Sequence, residues 1–338
     1  MERNINVVKV PCIMSIKIRS YEPGEEREII SLWNRCLTRD PISLEVFERK
    51  VLLDPNFEAE GFLLAEEDGK LLGFAYNIVR KYPILREEVE KDKERGWIVA
   101  FGVAPEARET NVGDRLIQAS IDFHRERRKK VILYSPYVPN YFFPGIDAEA
   151  YPHEYEVLLR NGFTEIKGAE GLAMDTSLWP DFKYPADIKE REERLKREGI
   201  EIKVLTTQYL YPLMKFLEKH MPADWYRHAR ELLLHNRKTQ VFIAVKGREV
   251  VGYCQFWGGE GYEWYMPGSH FGPFGVREDM RGKGIGTMLL YKCLEAMKEN
   301  GIHNAFLLWT GEKAKRLYER FGFKVTRVFK LMKKNIEA

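Results

Sequence analysis

Between Arg281 and Gly286 the chain reads Arg-Gly-Lys-Gly-Ile-Gly, two cations among three glycines with no acid. Glycine lacks a Cβ, so such a backbone can approach a ligand closely. If a helix begins where the segment ends, its first amides lack intrahelical acceptors and point into the turn. The helix dipole adds roughly half a positive charge there, and Arg281 and Lys283 add full charges. Together these suit a pyrophosphate. The plainer reading is a tight turn whose glycines only let helix and strand pack. Other phosphate motifs fit poorly. A P-loop sequence is absent, and Gly282-x-Gly284 is followed by Thr287 where a Rossmann fingerprint needs its third glycine.

The flanking sequence supplies elements that would position this turn. After it, Ile285, Leu289 and Cys293 recur every four residues, with Leu290, Leu294 and Met297 alongside. That is the apolar stripe of an amphipathic helix on a sheet. Asn304 to Thr310 reads as a buried strand. Ala314, Leu317 and Tyr318 follow on a short helix that ends at Gly322, a left-handed cap, before a closing strand from Phe323 to Met332. Upstream, Val241 to Tyr253 is two apolar runs around a glycine-containing turn, the pattern of a β-hairpin.

The same order occurs earlier in the chain. Phe101-Gly102-Val103 recurs as Phe274-Gly275-Val276, an offset of 173 that also carries Arg108 onto Arg281 and Gly113 onto Gly286. Phe62 to Phe74 parallels the later hairpin, and Gly162-Phe163 parallels Gly322-Phe323. The chain is therefore a tandem repeat. We expect an N-terminal domain over 1–177, a linker over 178–199 and a C-terminal domain over 200–338. In the linker, Pro180 and Pro185 precede a charged helix whose Glu192–Lys196 and Glu193–Arg197 spacings suit solvated i,i+4 pairs.

Arg281-Gly-Lys-Gly284-Ile-Gly286 matches [QR]-x-x-G-x-[GA], and Val276 stands five residues before it. Ala314, Leu317, Tyr318, Gly322 and Phe323 match a downstream A-x-x-L-Y-x-x-x-G-F pattern. In both features the chain resembles the GNAT N-acetyltransferase superfamily, over about Ile200 to Lys333, with a degraded copy over about Ile16 to Thr176. The resemblance implies an α/β fold of mixed (α+β) type: two GNAT-like domains, each a central mixed β-sheet flanked by helices. It implies acetyl-CoA as co-substrate and no metal. The backbone of Phe274, Gly275 and Val276 would pair with the pantetheine arm. The segment Arg281, Gly282, Lys283, Gly284, Ile285, Gly286 and Thr287 would hold the pyrophosphate. Tyr318 would be the general acid that protonates the departing thiolate; packing beside Phe323 is the bland alternative. Many relatives carry Asn seven residues before this tyrosine, where this chain has Gly311.

An acceptor amine must lose a proton to attack. Glu260, Glu263 and His270 are candidate bases, and each is also an ordinary surface or turn residue type. His270 lies six residues before Val276, so an unbroken strand would put both side chains on one face. Trp264 and Tyr265 could bind a cationic amine or belong to the core.

In the first copy the turn reads Arg108-Glu-Thr-Asn111-Val-Gly113. Glu109 puts negative charge where a pyrophosphate would sit. Asn111, which tolerates left-handed geometry, leaves room for the loop to form. Leu158 stands at the position of Tyr318 and cannot donate a proton. We expect this copy to be non-catalytic. It is also 13 residues longer between Arg108 and Gly162 than the second copy between Arg281 and Gly322, around the aromatic- and proline-rich stretch from Tyr134 to Tyr151. That stretch reads equally as a wall of a substrate cleft and as a packed interdomain or dimer loop.

Composition sets the outer limits. Of the 338 residues, 44% are hydrophobic and 31% charged, enough for packed cores in both halves. The net charge of +3 gives no bulk case for nucleic acid or membrane binding. Arg125 to Lys130 is one short basic run at a helix end. No apolar run approaches the ~20 residues of a membrane span. Cys12, Cys36, Cys254 and Cys293 are scattered, as reduced thiols of a cytoplasmic protein would be. The expectation is an N-acetyltransferase acting on a small-molecule or peptide amine, as a monomer or homodimer. The alternatives are a non-catalytic acyl-CoA-binding or sensor protein, and an acyl- or aminoacyltransferase with another donor.

Overall fold

The computed structural model describes residues 16–83, 89–179, 182, 184–258 and 269–336. The first half runs β1 (Lys17–Ser20), α1 (Glu26–Cys36), α2 (Leu44–Phe47), β2 (Phe62–Glu67), β3 (Lys70–Ile78), β4 (Arg95–Val103), α3 (Val112–Glu126), β5 (Val131–Tyr134), α4 (Pro152–Arg160) and β6 (Thr164–Ser177). Helix α5 (Ile188–Arg197) follows. The second half runs β7 (Ile200–Val204), α6 (Leu210–His220), α7 (Ala223–Leu234), β8 (Val241–Lys246), β9 (Glu249–Trp257), β10 (Ser269–Val276), α8 (Ile285–Glu299), β11 (Asn304–Thr310), α9 (Glu312–Glu319) and β12 (Lys324–Asn335). Both expected hairpins form. In β2–β3 the turn residues Asp68 and Gly69 take φ of 48° and 78°. Positive φ at both central residues matches the twist of paired strands.

All twelve strands join one mixed sheet, in the order β1-β2-β3-β4-β5-β12-β6-β11-β10-β9-β8-β7. Each half contributes one parallel pair, β4 with β5 and β10 with β11. The last strands are exchanged. β6, the end of the first repeat, pairs antiparallel with β11 of the second, and β12 pairs with β5 of the first. β6 and β12 also pair with each other at the centre of the sheet. Packing follows the exchange: Phe329 and Met332 of β12 lie in the first core, and Met174 of β6 lies in the second.

The expected apolar stripe of α8 is buried from Ile285 to Met297 against the second sheet half. α5 is less solvated than its charge suggests. Ile188 and Leu195 bury into the second core, while Lys196 and Glu192 make the expected i,i+4 pair at 3.5 Å. The basic run is locally paired: Arg125 with Asp122, Arg127 with Glu58 and Lys130 with Glu94. Cys36, Cys254 and Cys293 are buried thiols. Among the described residues, no helix is long and apolar enough to cross a membrane.

Candidate active site

β10 and β11 pair only at Ser269↔Ala305 and His270↔Phe306. Beyond that point each strand is held on its outer side, β10 by β9 as far as Val276 and β11 by β6 as far as Thr310. The strands therefore part, and a cavity of about 530 Å³ opens between them. Phe271 to Phe274 form one wall and Leu307 to Gly311 the other. Helix α7 adds Asp224, Trp225 and His228, and the long loop of the first half adds Val138 and Tyr141.

Strand β10 is bulged. From Phe271 to Phe274 it advances three residues while β9 advances two, from Phe256 to Cys254. The extra residue breaks the alternation of faces, so the even spacing from His270 to Val276 does not place them on one face. Phe274, Gly275 and Val276 lie past the bulge, on the part of β10 that has no pairing to β11. Gly275 is required there: a Cβ would stand 2.6 Å from the Trp225 ring.

The glycine turn leads from β10 into α8. Gly282 and Gly284 take φ of 80° and 89°, and Gly284 is the N-cap. A Cβ on Gly282 would meet nothing within 4 Å, so its face of the turn is open. Among the described residues the amides from Gly282 to Thr287 have no hydrogen-bond acceptor. A row of donors at a helix start fits a pyrophosphate. Arg281 folds back, its Nε donating to the Val276 carbonyl at 3.1 Å. α5 brings cations that the linker reading missed. Arg194 Nη2 donates to the Lys283 carbonyl at 3.1 Å, and a Cβ on Gly284 would lie 3.1 Å from both Arg191 and Arg194. Lys283 in turn stands 3.6 Å from Glu198.

Tyr318, on α9, lines the cavity and is 6% exposed. Its ring packs among Phe271, Phe274 and Phe323 at centroid distances of 6.0, 6.1 and 5.6 Å. Burial pushes its phenol well above the usual tyrosine value, so it stays protonated at neutral pH. Gly311 lines the same cavity, and a Cβ there would meet nothing within 4 Å. His270 reaches the cavity too. Burial first, then His228 and Lys50, lower its pKa to about 3, so its ring is neutral. Glu260, Glu263, Trp264 and Tyr265 lie outside the described residues.

The first half has lost the corresponding turn. Asn111 caps α3 with φ −86°, not left-handed, because the segment is rebuilt as helical turn. The Thr110 amide donates to Ala107 O at 3.1 Å and the Val112 amide to Thr110 Oγ1 at 3.3 Å. Leu158 is wholly buried in the first core. The long loop does both things its composition allowed: Tyr137, Phe142 and Phe143 pack into the first core while Val138 and Tyr141 wall the cleft.

A family model described as Acetyltransferase (GNAT) family matches residues 27–140 and 207–323, once in each half. The chain belongs to the GNAT acetyltransferase family. A mycothiol acetyltransferase of Sanguibacter keddieii is 29% identical over 126 residues, 36% of this chain and 38% of that protein. The match thus spans about two fifths of the relative's length. Among solved structures, the GCN5-related glucosamine N-acetyltransferase region of a fungal multi-domain GH3 β-N-acetylglucosaminidase superposes with a TM-score of 0.75 at 18% identity, over 97% of this chain and 39% of that one. A tandem GNAT protein from the clavulanic acid biosynthesis pathway superposes with a TM-score of 0.63 at 13% identity, over 96% of this chain and 99% of that one. At those identities the likeness is one of fold, and it extends through both halves.

The sequence pointed to no role for Lys50, Tyr141, Asp224, Trp225 or His228. Each lies far along the chain from the glycine turn and Tyr318, in stretches without a motif. The long loop was the one signal, and it identified the neighbourhood of Tyr141.

Proposed function

We propose that this GNAT protein transfers an acetyl group from acetyl-CoA to a primary amine by direct attack, in the cleft between β10 and β11. The catalytic unit in this reading is the C-terminal domain over 200–338. The observation that carries it is the combination of open glycine-turn amides at the start of α8, just beyond the unpaired end of β10, with a buried, protonated Tyr318 in the cleft that β10 walls. Acetyl-CoA supplies the acyl group as an activated thioester. The amides from Gly282 to Thr287, with Arg281, Lys283 and the neighbouring Arg194, hold its pyrophosphate. The unpaired edge of β10 at Phe274 to Val276 aligns the pantetheine arm. Tyr318 keeps a proton on its phenol oxygen for the departing thiolate. Its burial makes it a weaker acid than free tyrosine, and the same low-polarity site raises the basicity of a thiolate beside it.

On the acceptor side, His270 offers a neutral ring. A conjugate acid near 3 makes it a weak base, suited to passing a proton onward rather than keeping it. Glu263 is the other candidate from the sequence. Calorimetric titration of the whole chain with acetyl-CoA tests the reading. One site per chain, weakened by Gly284→Val, supports it. No binding removes acetyl-CoA as donor, and two sites would give the first half a role this reading denies it.

A further inference from the structure

The cleft does not end at the parting strands. Tyr141, His228 and His270 line the 530 Å³ cavity and also a second one of about 50 Å³ beside it. The second cavity lies where the halves meet. Arg49 and Lys50 reach it from the first half, and Arg227 and Glu231 from α7 of the second. Three basic side chains thus face one acid.

These cations are held at some cost. Lys50 is 8% exposed, and its Nζ donates to the Tyr141 carbonyl at 2.7 Å. Burial first, then Arg49 and Arg227, bring its pKa down to about 7. Arg227 Nη1 is buried and has no hydrogen-bond partner among the described residues. A buried guanidinium nitrogen without an acceptor is unfavourable, and an anion in the cavity would relieve it. The neighbouring imidazoles add no charge, since burial lowers His228 to about 4 and His270 to about 3. A charged planar acceptor in front of an arginine is the pairing that guanidinium geometry favours.

We propose that the second cavity is an acceptor subsite for a carboxylate, so that the acceptor is an amine that also carries a carboxylate. The carboxylate sits against Arg227 and Lys50, and the amine extends past His270 toward Tyr318. This rests on the acetyltransferase reading for the role of the amine, but carboxylate binding can be measured without acetyl-CoA.

The test is calorimetry on the full chain with ω-amino acids of two to six carbons and with the matching ω-amino amides. At least one acid is expected to bind ten times or more tighter than its amide. Arg227→Gln, at a half-buried position on α7, is expected to bring that ratio below three while leaving acetyl-CoA affinity and the melting temperature unchanged. Lys50→Met is expected to act in the same direction. Equal binding of acid and amide, no binding of any acid, or a preference that survives Arg227→Gln would overturn the proposal. If acids are preferred but acetyl-CoA does not bind, the subsite stands and the acetyltransferase reading fails. If acetyl-CoA binds and no acid is preferred, the reverse holds.

Discussion

Arg327 grips Asp40 through two parallel hydrogen bonds, Nη1 to Oδ1 at 2.7 Å and Nη2 to Oδ2 at 2.8 Å, across 287 residues of chain. Its Nε donates to Asp147 at 2.7 Å, and the Tyr151 hydroxyl donates to Asp40 at 2.6 Å. Arg327 and Asp40 are 5% and 0% exposed, so the network is buried. It ties β12, the last strand of the second repeat, into the first half. Removing the guanidinium would leave buried Asp40 without its counter-charge and Asp147 with only the more distant Arg39, 4.0 Å away. Arg327→Leu is expected to lower stability by about 3–5 kcal/mol, read as a fall in the urea midpoint.

The strand exchange makes the halves dependent on each other. Residues 200–338 alone lack β6, the partner of β11. An uncovered strand of that length invites pairing with another chain. The fragment is expected to aggregate or to dimerise, and co-expression with residues 1–199 to restore a one-to-one complex. Light scattering after size exclusion distinguishes these. A folded monomer of 200–338 would contradict the prediction.

Gly284→Val puts a β-branched residue at φ +89° and a Cβ within 3.1 Å of Arg191 and Arg194. Left-handed geometry alone costs an ordinary residue about 1–2 kcal/mol. Acetyl-CoA affinity is expected to fall by about tenfold or more, and the unliganded chain is expected to lose about 1–2 kcal/mol of stability from the strained backbone, so affinity is compared at a temperature where both chains are folded.

Tyr318→Phe keeps the ring packing against Phe271, Phe274 and Phe323 and removes only the hydroxyl. Loss of a general acid is expected to lower kcat by about a hundredfold while the Kd for acetyl-CoA changes by less than about twofold. An unchanged single-turnover rate would exclude the proton-donor role.

His124 is fully buried, and burial first, then Arg127 and Lys129, lower its pKa from 6.5 to about 3. The unfolded chain takes up a proton near pH 6.5 and the folded chain does not until about pH 3. The unfolded state is therefore favoured as pH falls through that window, with a slope approaching ~1.4 kcal/mol per pH unit from this side chain. Between pH 7.5 and 5 the urea midpoint should fall, and His124→Gln should flatten that fall by about 2 kcal/mol.

Much of this molecule is fixed by short-range pattern. The hairpin at Asp68-Gly69, the buried stripe of α8 and the turn from Arg281 to Gly286 depend on neighbours within a few residues. Local backbone sterics and helix periodicity decide them, so they were legible in the sequence, and the repeat made the hairpin and the helix legible twice. The reading went astray where one extra residue or one distant partner mattered. The bulge between Phe271 and Phe274 undid the alternation that placed His270. At Asn111 the sequence left a left-handed turn open, and a local bond from the Thr110 amide to Ala107 O closes a helical turn there instead.

Tertiary structure alone decided which strand completes which half. β6 and β12 close the two repeats at corresponding places, each just after a Gly-Phe pair, and nothing within either strand names its partner. The contacts that distinguish them, Arg327 with Asp40 and β6 with β11, join residues far apart in the chain. The cationic pocket at Lys50 and Arg227 has the same origin. Its charges come from both halves and are burdened by burial only once the sheet has closed, so no window of sequence contains it.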